Sequence, residues 1–126
     1  MDTPFAVASQ FNACIGARDL DSLSSVITDD HVFIDTAGTQ ISGKAAVLDA
    51  WRSFFSAFPD YRNEFTGFVE RNSEVCIEGH SSCTDPRLSG PALWRAVIRR
   101  GLLVEWRVFE DTPGNRATLG MRERTT

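Results

Sequence analysis

The chain has 126 residues, of which 42% are hydrophobic and 24% charged, and its formal net charge is −4. This length predicts a single domain over residues 1–126, with a core that needs no disulfide or metal to hold it. The negative charge argues against nucleic acid as a partner, because phosphate binding needs clustered Lys and Arg. Apolar runs stay well short of the ~20 residues of a membrane span, and no signal peptide is indicated.

The cysteines and histidines argue for reduced thiols and against a metal site. Cys14, Cys76 and Cys83 form an odd set with no Cys-x-x-Cys spacing, which is typical of a cytoplasmic protein without structural disulfides. His31 and His80 show no metal-ligand spacing, so no metal site is predicted. The sequence carries no phosphate-binding or dinucleotide motif, and we expect no cofactor.

The first half of the chain alternates between helical and extended patterns. Thr3 and Pro4 are a typical N-cap and first helical residue, and apolar residues at helical spacing follow each cap. Residues 31–35 alternate in polarity and favour a strand. The predicted elements are a helix from Pro4 to Gly16, a helix from Asp19 to Asp30, a strand over 31–35, and a helix from its cap Ser42 to just before Pro59.

The second half has the two-residue period of strands. Turn residues separate these runs, and the last residues have too little apolar content to pack as an element. The predicted elements are strands at about 61–70, 74–84, 92–99 and 102–110, turns at 71–73, 85–86 and 100–101, and a loosely packed tail over about 115–126. Helices first and strands later predict an α+β fold.

Three passages carry a family resemblance: ARDLDSLSSVITDDHVFIDTAGTQISGKAAVLDAWRSFF (17–55), FPDYRNEF (58–65) and VEWRVFEDTP (104–113). They resemble SnoaL-like (polyketide cyclase-like) proteins of the nuclear-transport-factor-2-like superfamily. The resemblance implies a cone-shaped, curved antiparallel sheet that wraps around the long third helix and encloses a cavity. The superfamily includes cyclases, ketosteroid isomerases, epoxide hydrolases and binding modules, so the fold does not decide the function.

Asp35 is the candidate catalytic residue. It lies at the end of the first predicted strand and precedes a Ser-Gly helix start, where the resemblance to the isomerases implies a general base. An apolar cavity disfavours the charged form of a carboxylate and thereby makes it a stronger base. The positions that correspond to the partners of such a base in the relatives are Phe11, Trp94 and Val108, which cannot replace them.

The two histidines are weaker candidates. His31 shares a strand face with Phe33 and Asp35 by alternation, and we interpret it as a residue that starts the strand in a polar setting. Gly79 can mark a bulge that turns His80 inward to pair with Asp35. Simple alternation instead places His80 on the surface or on a dimer face.

An aromatic set is expected to line the cavity and contact a ligand. The alternative is that these side chains fill the core completely. The predicted ligand-binding residues are Phe11, Phe33, Trp51, Phe55, Trp94, Trp106 and Val108.

The sheet face away from the helices is expected to form a homodimer interface. This face combines Cys76, His80, Arg95, Arg107 and Phe109, which make it moderately polar. Two functions remain open for the cavity and its small apolar ligand. One is a cofactor-independent isomerase, cyclase or hydrolase with Asp35 as base; the other is a non-catalytic ligand-binding or accessory module.

Overall fold

The computed structural model describes residues 3–123, in which four α-helices pack against one curved six-stranded sheet. The helices are α1 (Pro4–Ala17), α2 (Leu20–Val26), α3 (Lys44–Ala57) and α4 (Pro113–Thr118). The strands are β1 (Ile27–Ile34), β2 (Gln40–Ser42), β3 (Arg62–Arg71), β4 (Glu74–Ser82), β5 (Gly90–Arg99) and β6 (Leu102–Glu110), with a 3₁₀ turn over Pro86–Leu88. The predicted α+β class is confirmed.

The helix starts follow the expected capping chemistry at two of three sites. The Thr3 side chain accepts a hydrogen bond from the Ala6 amide at 3.1 Å, and Asp19 accepts one from Ser22 at 3.1 Å. The third expectation is wrong, because Gly43 rather than Ser42 is the N-cap of α3, and its φ of 94° favours glycine.

The second helix is shorter than predicted, and the first strand is longer. α2 ends at Val26, and the backbone is extended from Ile27 onward. The Asp29-Asp30 pair therefore lies within β1, where both side chains are exposed. Hydrogen bonding to a neighbouring strand, β6, overrides the local helical pattern here.

The sheet is mixed rather than purely antiparallel. Its strand order is β2-β1-β6-β5-β4-β3, and every neighbouring pair is antiparallel except β1 with β6. In the parallel pair Phe33 lies beside Trp106 and Ile34 beside Arg107. This register brings the end of β1, where Asp35 follows, next to the aromatic residues of β6.

Two long helices share the inner face of the sheet. α1 packs across β3 to β6, while α3 lies against β1 and β2. The expected wrapping of the sheet around the long third helix is thus confirmed, with the N-terminal helix α1 beside it. The β5–β6 pairing shifts register between Val97 and Ile98, and Leu103 and Trp106 of β6 are both buried in the inner core. Because α3 packs on β1 and β2, it lies at the side of the sheet that contains the cavity.

The outer face is covered in part by the chain's own C-terminal segment, residues 113–121. Leu119 and Met121 are buried against Cys76 and Leu93. The prediction of a loosely packed tail is thus wrong as far as Met121, and residues 124–126 lie outside the described part of the chain. Within residues 3–123 no helix is long and apolar enough to cross a bilayer.

Candidate functional site

A cavity of about 330 Å³ lies between α3 and the β2-β1-β6 side of the sheet. Nine of its twelve lining residues are apolar, and three are polar. The walls are formed mainly by Phe33, Ile41, Trp51, Phe54, Trp106 and Val108, and the polar side chains are Asp35, Thr36 and Tyr61. A site of this kind suits a small molecule that is largely apolar and carries few polar groups.

Edge-to-face aromatic contacts fix the helix side of the cavity. The Trp51 ring meets Phe33 at a centroid distance of 5.6 Å and 80°, and it meets Phe54 at 5.6 Å and 84°. Such pairs are stabilising beyond the area they bury. Trp51 is therefore held from both the strand side and the helix side, and the wall is preformed.

Asp35 lies at the mouth of the cavity, in a turn that its own side chain organises. Its Oδ1 accepts hydrogen bonds from the Ala37 and Thr39 amides, both at 2.9 Å. The backbone closes the same turn, since the Gly38 amide donates to the Asp35 carbonyl at 3.0 Å and Gly38 has a φ of 85°. The second oxygen, Oδ2, makes no hydrogen bond within residues 3–123 and is the atom available for chemistry.

Tyr61 is a site residue that the sequence analysis missed. It lines the cavity just before β3, and its ring stands at 90° to Phe54 with centroids 4.8 Å apart. Its phenol oxygen lies 3.2 Å from Ser81 Oγ. Burial raises the pKa of Tyr61, which keeps the phenol in its neutral form. The signal in the sequence was the passage FPDYRNEF, which holds the only Tyr of the chain.

Three residues of the predicted ligand-binding set lie away from the cavity. Phe11 and Trp94 are fully buried in the inner core, with Phe11 packed 4.8 Å from the Trp106 ring. Phe55 packs beneath the Arg18 guanidinium, 5.7 Å from its ring centroid. The residues of that set that do line the cavity are Phe33, Trp51, Trp106 and Val108.

The structure does not bring His80 to Asp35. The bulge that Gly79 suggested lies instead on the partner strand β3, between Phe65 and Gly67. His80 stays on the outer face, where its Nε2 lies 3.2 Å from the Glu64 carboxylate. An acid–base pair of Asp35 with His80 is therefore not formed.

His31 is buried in the core rather than in a polar setting. Its side chain has no solvent exposure, and Nδ1 lies 2.8 Å from the Leu103 carbonyl oxygen. Since a carbonyl only accepts, Nδ1 carries the proton, and Nε2 is buried with no hydrogen-bond partner among residues 3–123. Burial lowers the pKa of His31.

The comparison with known proteins decides the family. The model of the SnoaL-like domain matches residues 8–115. The chain belongs to the SnoaL-like family. Comparison with curated protein sequences finds no match.

Solved structures share the fold of this SnoaL-like protein at low sequence identity. IdmH, a proposed polyketide cyclase from Streptomyces antibioticus, has a TM-score of 0.73 at 18% identity, covering 95% of this chain and 100% of that one. An epoxide hydrolase of the LEH-like type from M. tuberculosis has a TM-score of 0.73 at 15% identity, covering 84% and 80%. An NTF2-like protein of unknown function from Cytophaga hutchinsonii has a TM-score of 0.73 at 10% identity, covering 95% and 96%. These likenesses establish the fold and leave the activity to be argued from the site.

Proposed function

We propose that this SnoaL-like protein binds a small, largely apolar molecule in the cavity and acts on it without a cofactor as an isomerase, cyclase or hydrolase. Asp35 is the general base, and its Oδ2 removes a proton from the bound molecule or from a water. The observation that carries the proposal is a single carboxylate at the mouth of an otherwise apolar, aromatic cavity. Family membership supports it, since fold neighbours include a proposed cyclase and an epoxide hydrolase.

The turn around Asp35 supports the role of base in a physical way. A base must be held in place while it transfers a proton, and here one oxygen is fixed by two amides while the other remains open. Orientation is thus provided by the backbone of residues 35–39 rather than by a second side chain.

The substitution Asp35→Asn tests this role with little change in shape. Its amide oxygen retains the acceptor for Ala37 and Thr39, while the amide group cannot act as a base. We expect turnover of a panel of enolisable ketones, lactones and epoxides to fall about 10²- to 10⁴-fold, with ligand binding retained. Asp49→Asn, at an exposed carboxylate on α3, is the matched control and should keep full turnover. Full turnover in Asp35→Asn would remove the catalytic role.

A non-catalytic binding module is the second candidate, and the cavity lining favours it in one respect. The lining contains no Arg, Lys or His, so no cationic donor faces a developing oxyanion, and this support is a large part of most proton-abstraction chemistry. Binding by the wild type without turnover of any substrate in the panel would select this alternative.

The homodimer remains a proposal for the outer face. The C-terminal segment covers Cys76 and packs against Phe109, so the surface left for a second copy lies around His80, Arg95 and Arg107. Light scattering at micromolar concentration measures the mass directly. A monomer would contradict the proposal.

A further inference from the structure

Tyr61 belongs to a chain of hydrogen bonds whose direction can be worked out from one end. Tyr61 Oη lies 3.2 Å from Ser81 Oγ, which lies 2.7 Å from Asn63 Oδ1. Asn63 Nδ2 lies 3.3 Å from Asn12 Oδ1, and Asn12 Nδ2 lies 3.1 Å from the Asn63 backbone oxygen. One polar network beside the cavity thus joins side chains from α1, β3 and β4 with Tyr61, the residue before β3.

The backbone carbonyl at the end of this chain sets the direction of every bond in it. A carbonyl oxygen can only accept, so Asn12 must turn its NH₂ group toward it. The side-chain oxygen of Asn12 then faces Asn63, which must donate to it from its own NH₂ group. That leaves Asn63 Oδ1 facing Ser81, so the Ser81 hydroxyl donates to it. Because this uses the only hydrogen of Ser81, Tyr61 must donate its hydroxyl hydrogen to Ser81 Oγ.

The hydroxyl hydrogen of Tyr61 is therefore committed to Ser81, and Oη, on a residue that lines the cavity, keeps its lone pairs for a further donor. Of the two other polar side chains in the lining, the Asp35 carboxylate is likewise an acceptor, and the Thr36 hydroxyl can both donate and accept. A ligand carbonyl placed at Tyr61 would bring two acceptor oxygens together, which repel each other. A ligand hydroxyl would instead donate a hydrogen bond to Oη. Reversing the chain of hydrogen bonds would set the Asn12 amide oxygen against the Asn63 backbone oxygen and leave part-buried polar atoms unpaired, which is costly.

We infer that the cavity selects an aromatic or alicyclic ligand whose hydroxyl group donates a hydrogen bond to Tyr61 Oη. Tyr61 is then a specificity-determining residue. It accepts a hydrogen bond from a ligand donor and does not donate one to an oxyanion. The inference rests on the binding part of the proposed function and does not depend on catalysis by Asp35.

The test compares 2-naphthol with 2-methoxynaphthalene, which has nearly the same shape but no donor, by equilibrium dialysis. We expect the wild type to bind 2-naphthol roughly three- to tenfold more tightly, the range of one net hydrogen bond. In Tyr61→Phe this preference should disappear. In Ser81→Ala the Tyr61 hydrogen is released, so the ether should gain relative to the phenol. Asp49→Asn, at an exposed carboxylate on α3 that does not line the cavity, is the matched control and should keep the preference.

The outcomes separate this inference from the proposed function. Equal binding of both probes by the wild type, or a preference that survives Tyr61→Phe, overturns the inference and leaves the apolar binding site intact. Failure of both probes to bind overturns the proposed binding function, and the inference with it. If Ser81→Ala does not fold, judged by circular dichroism, the Tyr61→Phe comparison alone decides the outcome.

Discussion

The two faces of the sheet differ, because the inner face borders a cavity and the outer face is packed in part by the C-terminal segment. The inner face keeps a cavity of about 330 Å³ beside α3, and its polar groups are held by amides and hydroxyls. The outer face is partly covered by residues 113–121, and its polar groups there are held by ion pairs centred on Arg116. Substitutions on the outer face are therefore expected to change stability, and those at the cavity to change binding or turnover. Each prediction below tests one side of this division.

The outer face should give the largest loss of stability. Arg116 donates to the Asp111 carboxylate at 2.6 and 2.9 Å and lies 2.7 Å from Glu78, and the Arg116 and Asp111 side chains are only 6% and 5% exposed. Removing one member of a buried ion pair usually costs about 3–5 kcal/mol. We expect Arg116→Ala to lower the free energy of unfolding by this amount, measured by urea denaturation.

Binding should be unaffected in the same variant below its unfolding transition. Arg52→Ala, at an exposed ion pair with Asp49 on α3, is the control and should change stability by less than about 0.5 kcal/mol. If Arg116→Ala weakens 2-naphthol binding in the folded protein, the two faces are coupled and the division fails.

Gly79 should give the next largest effect, because the hairpin of β3 and β4 serves both faces. A Cβ atom at Gly79 would lie 2.0 Å from the Glu64 carbonyl oxygen, so the two strands must separate. We expect Gly79→Ala to destabilise by about 1–3 kcal/mol, the usual cost of overpacking, in thermal or urea unfolding. The strain also falls on the strand that carries Asn63, so the preference for the phenol probe should weaken.

Gly114→Ala provides the comparison for that experiment. Within the described residues 3–123, no atom lies within 4 Å of a Cβ at Gly114, and an Ala at this position restricts the unfolded chain. The expected change is a stabilisation of up to about 1 kcal/mol. Equal stability changes in the two variants would show that the close approach at Gly79 is not what limits the hairpin.

The sequence predicted the elements that depend on neighbours along the chain. The caps at Thr3 and Asp19 and the turn at Arg100-Gly101, with φ values of 53° and 78°, are local features and are present. The end of α2 was wrong because the extended backbone from Ile27 is fixed by pairing with β6, about 75 residues later. Local pattern cannot report a partner so distant.

The same reasoning explains which parts of the site were missed. Tyr61 acquires its role from Ser81, which is 20 residues away, and from Asn63 and Asn12, themselves 51 residues apart. Arg116 looked like a tail residue because its partner Glu78 lies on β4. Long-range polar pairs leave no periodic signal in the sequence, whereas Asp35 was found because its turn, strand end and following helix are contiguous.

The smallest effect should come from His31, the titratable group buried on the inner face. Its pKa is lowered in the folded protein, chiefly by burial, from an ordinary value of 6.5. Below about pH 6.5 the unfolded chain binds a proton that the folded protein does not, so stability falls as the pH falls toward the folded-state pKa. Above that range the neutral imidazole contributes its full stability.

The measurement is the slope of unfolding free energy against pH between 7.5 and 5.5, where few carboxylates titrate. His80 is the only other imidazole, so the comparison is made in a His80→Gln background. Replacing His31 by Gln, which cannot titrate, should flatten the slope while lowering stability at pH 7.5. An unchanged slope would show that the neutral state of His31 does not contribute to the stability of the inner face. Because Nε2 has no hydrogen-bond partner in the described part of the chain, protonation there gains no hydrogen bond to offset the buried charge, and stability therefore falls as the pH falls.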